Sequence, residues 1–120
     1  MNPASSDAVF DRASALRRVD GDLPFLKELG GLFLQQCPEQ LELIVQAVAQ
    51  RDADLLMRAA HSLKGSVGNL SGHSVYELAL HLEAKGRAGD LNGVEQDLAD
   101  LQREMENLRI ALEQLIAEPS

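Results

Sequence analysis

The sequence predicts an all-α protein: an antiparallel four-helix bundle with a short accessory helix at the N-terminus. Three observations carry this prediction. Leucine and alanine supply 36 of the 120 residues, threonine is absent, and valine and isoleucine together number 10. The chain is therefore rich in helix formers and poor in residues that favour strands. Apolar residues recur at spacings of three and four, the period of a helix buried on one side. Short polar breaks join the segments and suit antiparallel neighbours. The length fits one domain over 1–120, with a core of about 7–117, large enough to bury its apolar side chains without disulfides.

The elements follow in order. Asp7 to Arg18 reads as the accessory helix, with Phe10, Ala13 and Leu16 on one side. The break Val19–Asp22 ends in an aspartate suited to cap a second helix running to about Cys37, with Pro24 in its first turn. Pro38 then opens a third helix, in which Leu41, Ile44, Val45 and Val48 form the buried stripe. A fourth helix spans about Ala53 to Leu70 on Leu56, Ala59, Leu63, Val67 and Leu70. Ser74 and Glu77 have the spacing of a capping box for a fifth helix, whose stripe is Val75, Leu78 and Leu82. The glycine-rich turn Lys85–Asp90 leads to a last helix from about Gly93 to Ala117. There Val94, Leu98, Leu101, Met105, Leu108, Leu112 and Leu115 make a heptad seam, which serves the bundle or, as an alternative, a dimeric coiled coil.

Composition narrows the function classes. The net charge is -8, and no basic patch with interleaved aromatics stands out, which argues against nucleic acid and anionic membranes as partners. The polar, acidic start does not read as a signal peptide, and no apolar run approaches the roughly 20 residues of a membrane span. A cytoplasmic location is the expectation. The single Cys37 cannot pair within the chain, and His73 and His81 lack a second ligand at metal spacing, so no metal is expected. No glycine-rich nucleotide loop is present, so ATP is not an expected ligand.

One stretch calls for chemistry. His61 lies two residues, or about 200°, from Leu63 at the centre of the fourth helix's buried stripe, so it faces outward. Met57, Arg58, Lys64 and Gly65 share its face, and Gly68 and Asn69 follow one turn later. Each glycine inside a helix costs roughly 1 kcal/mol relative to alanine, so Gly65 and Gly68 need a reason, and clearing space beside the imidazole supplies one. Imidazole is a nucleophile near neutral pH, and a nearby ammonium suits phosphoryl oxygens. The combination describes a phosphoryl acceptor; the plain alternative is a surface histidine beside a surface lysine.

These residues match a family. The stretch "AHSLKGSVGNLSG", Ala60 to Gly72, resembles the signature of histidine-containing phosphotransfer (HPt) domains. The likeness extends to "FDRASALRRVDGDLPFLKELGGLFLQQCPEQLELIVQAV" and "LEAKGRAGDL", and covers roughly Phe10 to Leu115. The resemblance implies a bundle topped by an accessory helix and a place in a multistep phosphorelay. By it, His61 accepts a phosphoryl group from a receiver-domain aspartate and passes it to another. Lys64 steadies the phosphoryl oxygens, Gly65 gives the receiver access, and Ser66 has a minor role. Ser71, with Gly72 next, stands where the family often has glycine. The partners implied are response-regulator receivers and a hybrid sensor histidine kinase, with Mg²⁺ held by the receiver and no cofactor bound here. The chain itself is expected to be a monomeric carrier without kinase or ATPase activity. Met57, Arg58, Gly68 and Asn69 would line the docking face. Phe25, Leu32 and Leu34 exceed the second helix's stripe; they read as extra core, or Phe25 and Leu32 as an apolar docking patch. Glu83 reads as an exposed surface glutamate, although some relatives place a polar group there that reaches the histidine. The alternative function is a helical adaptor that binds signalling partners without chemistry.

Overall fold

The computed structural model describes residues 8–119. Five helices run among them: α1 Arg12–Arg18, α2 Leu23–Gln50, α3 Ala53–Gly68, α4 His73–Ala88 and α5 Val94–Ala117. Helices α2 to α5 form the bundle, each packed against two neighbours, with α5 closing the ring between α4 and α2 and α1 lying against α2. The Asp7 start expected for the accessory helix lies outside the described residues.

Aspartates start the first three helices. The Asp11, Asp22 and Asp52 side chains accept from the backbone N–H groups of Ser14, Phe25 and Leu55 at 3.0–3.1 Å, satisfying donors that a helix start leaves free. In α1 the buried residue is Ala15, while Ala13 is exposed. Phe10 precedes the Asp11 cap, so it cannot set the phase of the helix that follows.

The largest departure from the sequence reading is α2, one helix of 28 residues where two were expected. Pro38 lies inside it. Proline has no N–H to offer the Leu34 carbonyl. The Cys37 thiol, 3.8 Å from that oxygen, donates to it instead. Burial on both sides of the proline, by Phe33 and by Ile44, Ala47 and Val48, holds the helix through the defect. At 1.5 Å per residue α2 is roughly 42 Å long, close to the molecule's 44 Å long axis.

The α3–α4 turn also differs in detail. Helix α3 ends at Gly68 rather than Leu70, although Leu70 stays buried in the turn. Ser71 takes the left-handed conformation, φ 56°. Its hydroxyl donates to Ser14 Oγ at 3.0 Å, and its carbonyl accepts from the Asp11 N–H at 3.1 Å. These bonds fasten α1 over the turn. Helix α4 begins at His73 after Gly72, so Ser74 is already helical and the Ser74–Glu77 capping box does not form.

The α5 seam is consumed inside the chain. Val94, Leu101, Met105, Leu108, Leu112 and Leu115 are buried and Leu98 is half-buried. Beyond α5, the Arg12 guanidinium pairs with Glu118, and Lys27 donates to the Glu118 carbonyl, tying both early helices to the last.

Gly86 governs the site. It sits within α4 rather than in the expected turn, which lies at Gly89–Gly93 with both glycines left-handed. A Cβ at Gly86 would fall 2.6 Å from the Met57 nitrogen and 2.7 Å from the Ala53 oxygen. Only glycine allows the α4 backbone to approach the α3 backbone this closely. Glu83, three residues earlier on the same face, is thereby pressed against α3 one turn beyond Met57.

Candidate functional site

The imidazole of His61 projects from α3 with 67% of its side chain exposed, as its offset from Leu63 predicts. Beneath it lies Glu83, which is 2% exposed and not the surface residue the sequence suggested. His61 Nδ1 is 2.7 Å from Glu83 Oε2, and Lys64 Nζ is 2.7 Å from Oε1. Arg87 Nη2 reaches Oε2 from the next turn of α4 at 3.2 Å. A buried carboxylate is tolerated only when it is paired, and here three groups answer it. Lys64, then His61, hold the Glu83 carboxyl down to about 2, against burial, which pushes it up.

The contact with an ionised carboxylate decides the tautomer. An ionised carboxylate can only accept, so His61 Nδ1 must carry the hydrogen and donate it. Nε2 is then left with its lone pair on the exposed edge of the ring. The arrangement is a nucleophile whose orientation and tautomer are fixed from below.

Lys64 is only 21% exposed, because it folds down onto Glu83 instead of standing free on the surface. One of its three N–H groups faces the carboxylate, which leaves two. A Cβ at Gly65 would meet nothing within 4 Å, so no contact inside the protein requires this glycine. Gly68 differs: the Tyr76 ring lies 3.5 Å from where its Cβ would be, an ordinary contact that covers part of the expected opening. Ser66 turns away from the imidazole; its hydroxyl donates to the Ser62 carbonyl at 3.1 Å and accepts from Gln40 Nε2 at 2.9 Å.

The Hpt domain family profile matches residues 28–116 of this chain, a span that contains His61, Lys64 and Glu83. The chain belongs to the Hpt domain family. It is a histidine phosphotransfer intermediate of phosphorelays; Hpt domains are phosphotransfer carriers rather than classical enzymes, and they interact with receiver domains and histidine kinases. Two solved structures share its fold. The HPT domain of an Hpt sensor hybrid histidine kinase from Shewanella superposes with a TM-score of 0.83 at 18% identity, over 94% of this chain and 97% of that one. Histidine-containing phosphotransfer protein B (HptB) of Pseudomonas aeruginosa PAO1 superposes with a TM-score of 0.81 at 24% identity, over 88% and 92%. No curated protein matches the sequence significantly. No helix among the described residues is long and apolar enough to cross a membrane.

Three depressions carry the candidate residues, and His61 lines one of them. Met57, Arg58, Ser62 and Arg87 line one beside His61 and Glu83. Gly68 and Asn69 line a second with Lys64, Gly65, Tyr76 and Arg18 of α1. Leu32, 51% exposed, lines a third with Leu29, Phe33, Ser66 and Asn69. Phe25, 45% exposed, lines none of these three, and Leu34 packs against the core. Sequence reasoning favoured a surface position for Glu83 over contact with the histidine, and did not single out Arg87. The signal for Glu83 was present: with Val75, Ala79, Leu82 and Gly86 it completes a stripe at helical spacing.

Proposed function

We propose that His61 is the phosphorylated residue and that Nε2 attacks the phosphorus of a receiver's aspartyl phosphate. The 2.7 Å contact between Nδ1 and Glu83 Oε2 carries this reading, because it leaves Nε2 unprotonated and outward. The Nε2 lone pair forms the N–P bond. The P–O bond to the aspartate breaks, and its electron pair leaves with the carboxylate. No proton need move. The ring gains a positive charge while keeping its Nδ1 hydrogen, and Glu83 lies against that charge as it develops. Transfer to a second receiver is the same step reversed.

Lys64 orients Glu83 and turns its remaining N–H groups to the phosphoryl oxygens. The open space at Gly65 admits the receiver's active site. Ser66 braces α3 against α2 through Gln40 rather than touching the phosphoryl group. The depressions carrying Met57, Arg58, Gly68, Asn69 and Leu32 form the docking face, and the exposed Phe25 adds apolar surface for the partner. The domain acts as a cytoplasmic monomer between a hybrid sensor histidine kinase and receiver domains, without ATP chemistry of its own. The receiver brings Mg²⁺.

Labelling by a phosphorylated receiver tests the assignment. Wild-type protein should take up acid-labile, base-stable phosphate, and His61→Gln should take up none while its helical circular dichroism is unchanged. Label retained in folded His61→Gln, on His73 or His81, would overturn it.

A further inference from the structure

We propose that Arg87 is a second cationic ligand of the phosphoryl group, one that exchanges Glu83 for the phosphate when His61 is phosphorylated. The inference rests on the assignment of His61 above and adds a residue and a movement to it. Arg87 Nη2 and His61 Nδ1 share one oxygen, Glu83 Oε2, at 3.2 and 2.7 Å. The guanidinium therefore starts within about 6 Å of the imidazole. It lies on the opposite carboxylate oxygen from Lys64, so the two cations flank the carboxylate.

Charge at the site points the same way. In a protein of net charge -8, Glu83 faces two full cations, Lys64 and Arg87, and a histidine that is neutral when ready to react. One positive charge beside the ring is surplus to what the carboxylate balances. Arg58, on the same depression, is engaged by Asp54 at 2.9 Å; Arg87 has Glu83 as its one ion pair among the described residues. A surplus cation beside a nucleophile suits an incoming anion.

Phosphorylation redistributes these contacts. The ring becomes cationic and strengthens its claim on Oε2. The Arg87 bond is the longer of the two, and its side chain is 66% exposed, so it is the one to yield. A freed guanidinium presents a planar fork that fits two phosphoryl oxygens, which a lysine cannot match. Phosphohistidine is then held between Lys64 on one side and Arg87 on the other.

The test compares wild type, Arg87→Ala, Arg87→Lys, Glu83→Gln and the Glu83→Gln/Arg87→Ala double variant in the full chain. Each is labelled from a phospho-receiver, and the label is followed by rapid quench and by ³¹P NMR. Arg87→Ala should accept phosphate roughly 10-fold more slowly, the loss of one charge-assisted contact made in the transition state. Its phosphohistidine ³¹P resonance should shift, its thermal midpoint should hold, and Arg87→Lys should restore part of the rate. The two single effects should multiply in the double variant. A wild-type rate and unshifted resonance in Arg87→Ala would overturn the proposal. So would a double variant no slower than Glu83→Gln, because Arg87 would then act only by orienting Glu83. Wild-type labelling reports on His61 by itself, whereas the Arg87 inference is read from ratios between proteins that are labelled.

Discussion

Replacing Glu83 with glutamine removes a charge from beneath His61 and leaves the shape almost intact. The carboxylate is 2% exposed and takes the Nδ1 hydrogen at 2.7 Å, so it lies against the positive charge that forms on the ring during transfer. A hydrogen bond to a charged group contributes about 1.5–3 kcal/mol and a neutral one about 0.5–1.5. Glutamine can still accept through its carbonyl oxygen, so about 1–1.5 kcal/mol of transition-state stabilisation is lost. That slows transfer roughly 5- to 13-fold. Glu83→Ala loses the whole contact and should slow transfer by about 13- to 150-fold. It also leaves Lys64 without its partner; being 21% exposed, the ammonium can turn partly to water, so the stability cost is about 1–3 kcal/mol. Rapid-quench transfer from a phospho-receiver, beside thermal unfolding followed by circular dichroism, separates the two effects. Transfer at the wild-type rate by folded Glu83→Ala would refute the role given to the carboxylate.

Gly86→Ala should destabilise the protein by about 1–3 kcal/mol despite alanine's better helix propensity, because the added Cβ meets the Met57 and Ala53 backbone, and it should slow transfer by moving Glu83 away from His61. A raised unfolding midpoint would show that the two helices separate easily. Gly65→Gln has open space to enter and should change the unfolding free energy by no more than about 0.5 kcal/mol, yet slow transfer at least several-fold by obstructing the receiver; equal rates would mean no partner uses that space. The Glu83 carboxyl is held at about 2, below its ordinary 4.5, so the stability it contributes is fully present above about pH 4.5 and is lost as pH falls towards 2. The difference in unfolding midpoint between wild type and Glu83→Gln should therefore be flat from about pH 8 to 5 and shrink through that acid window. A difference that changed instead near pH 6–7 would place the linkage on another group.

The sequence by itself determined the helical class, the α5 seam and the outward face of His61. Each is a property of one helix: composition sets propensity, and periodicity fixes the angle at which a side chain leaves its own axis. The offset of His61 from Leu63 is such an angle, and it survives whatever the helix packs against. Pro38, Gly86, Glu83 and Lys64 needed the tertiary structure. Pro38 ends a helix in isolation, but burial on both sides and the Cys37 thiol carry α2 past it. Gly86 looks like a turn residue until the α3 backbone is seen 2.6–2.7 Å from its missing Cβ. Glu83 reads as a surface glutamate because a lone carboxylate resists burial. It is buried because Lys64 and His61 arrive from a different helix to answer its charge. Lys64 shares a face with His61 but bends inward for the same reason. The cost of burying a charge is set by its partners across the interface, and no periodicity along one strand of sequence encodes a partner on another helix.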